Sequence, residues 1–198
     1  LKEGSFMKTF FTQPIGQLAR QNSLMFIVLS VAFLVIGLGE IDIPAGLGNL
    51  LNFLWGFSLL SIILAGYYLA KDQVPEYWRE ATAILGGVII VGTLIEISSP
   101  DYTLDNGGFI PMYFLWAFNS LIYNLTLRGT GLFRPVYEYL SIFGFITIII
   151  FTGSNLFFGY ELSESLQPVF GIGWISMIIG LGYGGYVAWG DKMSSSTE

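Results

Sequence analysis

Two interleaved pairs of polar side chains offer the most readable chemistry in this chain. Asn119 and Tyr123 stand four residues apart, as do Ser120 and Asn124. Residues at that spacing share a face of a helix, so hydroxyls and amides line one side of a single element. Each amide carries both donors and an acceptor. Such a stripe can line a path for a small polar solute. It can equally bind helices to one another, at under about 1 kcal/mol per hydrogen bond. Ser58, Ser61, Thr93, Thr147, Thr152 and Ser176 extend the polar set. No facing carboxylate pair, serine with a base, or metal-ligand cluster accompanies them.

The residue types that are missing narrow the chemistry further. The 198 residues include no histidine and no cysteine. A thiol nucleophile, a Cys/His zinc site, a disulfide framework and histidine acid–base or haem chemistry are therefore excluded. No phosphate loop or dinucleotide fingerprint occurs, because the glycine runs do not follow a strand. An enzyme is not expected, nor any cofactor or metal. The formal charge of −6 argues against nucleic acid as a partner, which needs a clustered basic face. Charged side chains make up 11% of the chain, against about 25% in soluble domains.

The elements that must hold these residues are read from where the charges fall. Arg20 and Glu40 enclose 19 uncharged residues, Asp42 and Lys71 enclose 28, and Asp105 and Arg128 enclose 22. Glu138 and Glu161 enclose 22, and Glu164 and Asp191 enclose 26. A bilayer core takes about 20 apolar residues in a helix, since lipid cannot satisfy a free amide. Ala81 to Ile95 is shorter, at 15 residues, but reaches Pro100 with Glu96 at the interface. The expectation is an all-α integral membrane fold with six spans, near 22–39, 47–70, 80–99, 109–127, 136–157 and 167–189. Residues 1–21 form an N-terminal segment and 190–198 a C-terminal tail. Leu1 to Phe6, ahead of Met7, are left out of the fold reading. The first span lacks a small-x-small cleavage site and five more follow, unlike a signal peptide.

In this layout every lysine and arginine falls on one side: Lys2, Lys8, Arg20, Lys71, Arg79, Arg128, Arg134 and Lys192. The opposite loops carry only acids. The positive-inside bias then places both termini in the cytoplasm of a plasma or inner membrane. Glu96 is the carboxylate nearest to lying within a span, and reads either as a proton-sensitive gate or as an interfacial group. Glu138, just after Arg134-Pro135, reads as first-turn capping chemistry.

Spans two, four and six share a pattern. Phe53-Leu54-Trp55-Gly56-Phe57-Ser58 resembles Phe114-Leu115-Trp116-Ala117-Phe118-Asn119, and Gly173-Trp174-Ile175-Ser176 is a weaker copy. The tryptophans are 61 and 58 residues apart. The chain thus reads as one helical hairpin used three times, an arrangement that places a path at the repeat interface. Trp55, Ser58, Trp116, Asn119, Tyr123, Asn124 and Trp174 are the candidate pore-lining residues. A tryptophan belt at the membrane surface gives a similar spacing. Gly180 and Gly184 form a small-xxx-small pair that allows close packing within the chain or between subunits.

Gly173-Trp174-Ile175, with Ile178, Gly180, Tyr186, Ala188 and Gly190, resembles the closing segment of the acetate uptake transporters. Leu115-Trp116 running into Thr126-Leu127-Arg128, and Ala65-Gly66, are similar to that family's fourth and second spans. Gly131-Leu132-Phe133-Arg134-Pro135 with Tyr139 is similar to a connection in the urea/amide channels. The resemblance implies three helical hairpins around a central pore and a homo-oligomer, a hexamer. It implies transport of acetate or another short monocarboxylate, with proton coupling in that family, or of urea or a short amide. It implies a constriction from one side chain of each outward-running helix, best matched here by Phe26, Gly87 and Leu140. Two departures stand out. The acetate family's asparagine-proline-alanine-proline run is reduced to Gln13-Pro14-Ile15-Gly16, and its aromatic segment in span three is replaced by Ala83-Ile84-Leu85-Gly86-Gly87. A membrane subunit that transports nothing remains the competing class.

Overall fold

A computed structural model of the chain describes residues 3–39, 41–70, 72–97, 109–159 and 166–188. Among them the regular structure is helical. The helices are α1 (Glu3–Leu38), α2 (Ala45–Leu69), α3 (Glu76–Ile97), α4 (Phe109–Leu127), α5 (Pro135–Phe158) and α6 (Gln167–Met177). A π-helical turn, Ile178–Tyr183, continues α6, and a last α-turn runs to residue 188.

Four of these helices are long and apolar enough to cross a membrane: Ala19–Leu38, Gly46–Tyr68, Pro135–Phe158 and Pro168–Ala188. The apolar run of α3 is cut short by Glu76, Arg79 and Glu80. In α4 the described side chains run from residue 113 to 127, too few to cross by themselves. Helix α1 starts well before the expected span. Charge marks where an apolar run ends, and it does not stop a helix.

Contacts between residues fix the helix directions. In α5 and α6, Tyr137 meets Gly184, Ser141 meets Gly180, and Gly144 and Thr147 meet Gly173. One index rises as the other falls, so the two helices are antiparallel. Helix α1 and α6 are antiparallel too, through Arg20–Tyr186 and Ser30–Trp174. Helices α2 and α4 are parallel: Tyr113 meets Asn52 and Tyr123 faces Ile62, both at an offset of 61 residues. That is the spacing of the first two repeat copies, so equivalent positions of the two hairpins touch each other. Each helix packs beside its neighbours in the chain, and the π turn packs on both α1 and α5, which closes the bundle.

The small residues of α6 set its distance from α5. A Cβ on Gly144 would stand 2.7 Å from the Gly173 carbonyl, and a Cβ on Gly173 would stand 2.6 Å from Thr147. A Cβ on Gly180 would strike the Ser141 backbone, and on Gly182 the Ile27 side chain of α1. The Gly180/Gly184 pair therefore serves packing inside the chain, against α5. The wider π turn, a form common at functional sites, presents Gly180 to α5 and Gly182 to α1. Gly129 and Gly131 hold φ of 78° and 71° in the turn after α4, a region that favours residues without a Cβ.

Burial is uneven along the chain. The apolar windows of α2 and α6 are each 56% buried, against 28% in α1 and 33% in α5. Thus α2 and α6 form the inside of the bundle, and α1 and α5 its wall.

Candidate functional site: an aromatic floor beneath a vestibule

A cavity of about 460 Å³ opens between the end of α1, the start of α6, and parts of α4 and α5. Phe33, Leu34 and residues 36–38 form one side, and Ile148 and Thr152 the other. Tyr113, Phe170 and Trp174 reach into it. It lies at the end of the bundle opposite Arg20 and Tyr186.

Below it the aromatic side chains close ranks. The rings of Trp55 and Trp174 stack at 5.9 Å, tilted by only 10°. Tyr113 stands edge-on to both, at 5.8 Å from Trp55 and 6.4 Å from Trp174. Phe26 lies 5.6 Å from Trp55 as well. Such pairs contribute about 0.5–1.5 kcal/mol each beyond the area they bury.

Every polar handle in this floor is tied down. The Trp55 indole N–H donates to Ser30 Oγ at 2.8 Å. The Trp174 indole N–H donates to the Ser30 carbonyl at 3.0 Å. The Tyr113 hydroxyl donates to Asn52 Oδ1 at 2.6 Å. One serine of α1 thus anchors both tryptophans. With their N–H groups occupied, the rings present ring carbon and apolar faces to the cavity.

A second environment lies deeper, where α2, α3 and α4 meet. Asn119 is fully buried, and neither its amide nitrogen nor its oxygen has a partner among the described residues. Ser120 Oγ beside it is likewise unpartnered. Gly86 of α3 faces this point: a Cβ there would lie 3.6 Å from Asn119 Nδ2 and would run into Leu60. An unmet buried amide costs on the order of 1–3 kcal/mol.

The residues singled out from the sequence fare differently. Trp55 and Trp174 meet in the stack. Trp116 does not join them; it is buried against Gly56, whose Cβ would stand 3.1 Å from its ring. Tyr113, one helical turn earlier, occupies the place that the repeat assigned to Trp116. Ser58 and Asn124 bond within their own helices, to the Trp55 carbonyl at 2.7 Å and the Ser120 carbonyl at 2.6 Å. Tyr123 is buried edge-on to Tyr67 at 5.2 Å, its hydroxyl against Gly66. These three act in packing; Asn119 and Ser120 of the stripe keep free bonding capacity among the described residues. Ser61 likewise bonds the Phe57 carbonyl at 2.9 Å.

The structure sets the three residues of the implied constriction in different surroundings. Phe26 belongs to the aromatic floor, but Gly87 is exposed with open space around it, and Gly86 is the glycine that faces inward. Leu140 is half-buried on α5. None of the three lines the vestibule. The aromatic side chains that meet come chiefly from α2, α4 and α6 rather than from the odd-numbered helices. Glu96 falls in the last turn of α3, and its side chain lies outside the described residues. Glu138 is 7% exposed, so it is a buried carboxylate as well as a first-turn acid.

Ser30, Asn52, Tyr113 and Phe170 were not singled out from the sequence. The signal for Tyr113 is its position one turn before Trp116, on the same face. Ser30 shows only as a hydroxyl inside an apolar run.

The chain matches no family model, no curated protein and no solved structure. The aromatic floor and the Asn119 amide therefore stand on their own geometry.

Proposed function

We propose that this chain is a membrane channel or transporter for a small solute, with a path through each protomer. The observation that carries this reading is the vestibule of about 460 Å³ that ends on the Trp55–Trp174–Tyr113 floor. All six helices span the bilayer, α4 with its polar face of Asn119, Ser120 and Asn124 turned to the protein. The basic end, with Arg20, Arg79, Arg128 and Arg134, is cytoplasmic, so the vestibule opens outward. A floor of tied-down rings suits a solute that is neutral, or that is neutralised as it crosses. Acetate or another short monocarboxylate moving with a proton is the first substrate class, in line with the sequence resemblance. The assembly that goes with this resemblance is a homo-hexamer.

A second reading has its own support. The amide of Asn119 offers a donor and an acceptor side by side, the complement of urea or a short amide.

Swelling of liposomes that contain the purified protein tests both readings, with acetate, urea and glycerol compared. Faster entry of acetate supports the first and faster entry of urea the second. Equal exclusion of all three overturns the channel and favours a structural subunit of a larger complex.

A further inference from the structure

The end of the bundle opposite the vestibule carries a separate polar cavity. It has a volume of about 350 Å³ and is lined by Gln17, Arg20, Gln21, Leu24 and Tyr186. The Arg20 guanidinium lies over the Tyr186 ring, 4.4 Å from its centroid, and its Nη2 donates to the Tyr186 hydroxyl at 3.0 Å. This double contact holds the planar fork in one orientation. Because the phenol oxygen accepts that bond, its own hydrogen is left to donate outward.

We propose that this cavity binds the phosphate of an anionic membrane lipid. The groups around it favour an oxyanion. Among the described residues no acidic side chain lines it, and Arg20 has no carboxylate partner. Its Nε is buried without an acceptor. The two glutamine amides and the phenol add neutral donors. A guanidinium fork fits a phosphate in two-pronged fashion, with charge-assisted bonds.

The depth of the cavity points to a lipid. In the sequence the uncharged run of α1 begins after Arg20, and that of α6 ends before Asp191. Arg20 and Tyr186 therefore sit at the edge of the apolar zone, where headgroup phosphates lie. Leu24, one turn further in, is 51% exposed and offers an apolar wall to the first carbons of an acyl chain. Gln17 and Gln21 are exposed as well, so the cavity opens sideways out of the bundle and away from the vestibule. Basic pockets between spanning helices are a recurrent way to hold lipid headgroups. The inference rests on α1 and α6 lying in a membrane, and not on what the chain transports.

Native mass spectrometry of the full chain, released from micelles doped with phosphatidylglycerol or with phosphatidylcholine, tests it. One phosphatidylglycerol retained per chain, in preference to phosphatidylcholine, is expected. Arg20→Met should lower that retention about fivefold, and Arg20→Lys, which keeps the charge and loses the fork, by less. A third arm adds inorganic phosphate, which should not displace the lipid. Equal retention of the two lipids, or undiminished retention in Arg20→Met, overturns the site. Displacement by inorganic phosphate overturns the lipid as its source and assigns a free anion. If Arg20→Met fails to fold, the Arg20→Lys comparison decides: retention equal to that of the parent overturns the site. Lipid retention needs no solute flux, so a failed swelling assay leaves this result standing.

Discussion

Replacing Ser30 with alanine removes one hydroxyl from the middle of α1 and nothing else. In the parent that oxygen accepts the Trp55 indole N–H at 2.8 Å. Ser30 is fully buried and Trp55 is 3% exposed, so no water replaces the lost acceptor. A buried donor left unmet costs about 1–3 kcal/mol. Hydrogen bonds between membrane helices average nearer about 0.6 kcal/mol, because the unfolded helices find other partners. We therefore expect a loss of about 1 kcal/mol, which in a chain of this size is a fall in Tm of about 2–4 °C. The Trp174 indole should stay in place, since it is held by the Ser30 backbone carbonyl at 3.0 Å. The stack is thus loosened on one side only. In liposome swelling, Ser30→Ala should admit solutes faster and discriminate less between acetate and glycerol. Ser30→Thr keeps the hydroxyl and should restore both stability and selectivity. A Ser30→Ala protein with the parent's Tm and the parent's permeability ratios would refute the argument that anchored tryptophans form the barrier.

Gly86→Ala should destabilise the protein by about 1–3 kcal/mol, because its Cβ runs into Leu60 in a packed interior. Gly87→Ala, with open space around it, should gain up to about 1 kcal/mol from helix propensity; thermal denaturation of the pair checks which glycine faces inward. Gly180→Ala drives a Cβ into the Ser141 backbone, and is expected to abolish a monodisperse species in size-exclusion chromatography. Asn119→Leu replaces two unpartnered polar atoms with carbon. It should leave Tm equal or higher while slowing the entry of urea more than that of acetate, as measured by parallel swelling traces.

The sequence by itself determined the helical class and the apolar runs. Charge is costly in lipid, so 22 charged side chains distributed around long uncharged stretches mark where helices can cross. The offset of 61 residues between the first two hairpins was legible too, and in the structure it returns as the contacts Asn52–Tyr113 and Ile62–Tyr123. What the tertiary structure alone decided is which face of each helix turns inward. Adjacent glycines such as Gly86 and Gly87 differ by about 100° around the axis, and composition cannot tell one from the other. The same holds for Trp116 and Tyr113: the repeat equated Trp116 with Trp55, but Gly56 leaves room for its ring elsewhere, and Tyr113 closes the floor. Ser30 gained its role from two indoles contributed by helices 25 and 144 residues away. No local pattern records such a meeting, because it depends on how six helices are rotated and how closely their small residues let them approach.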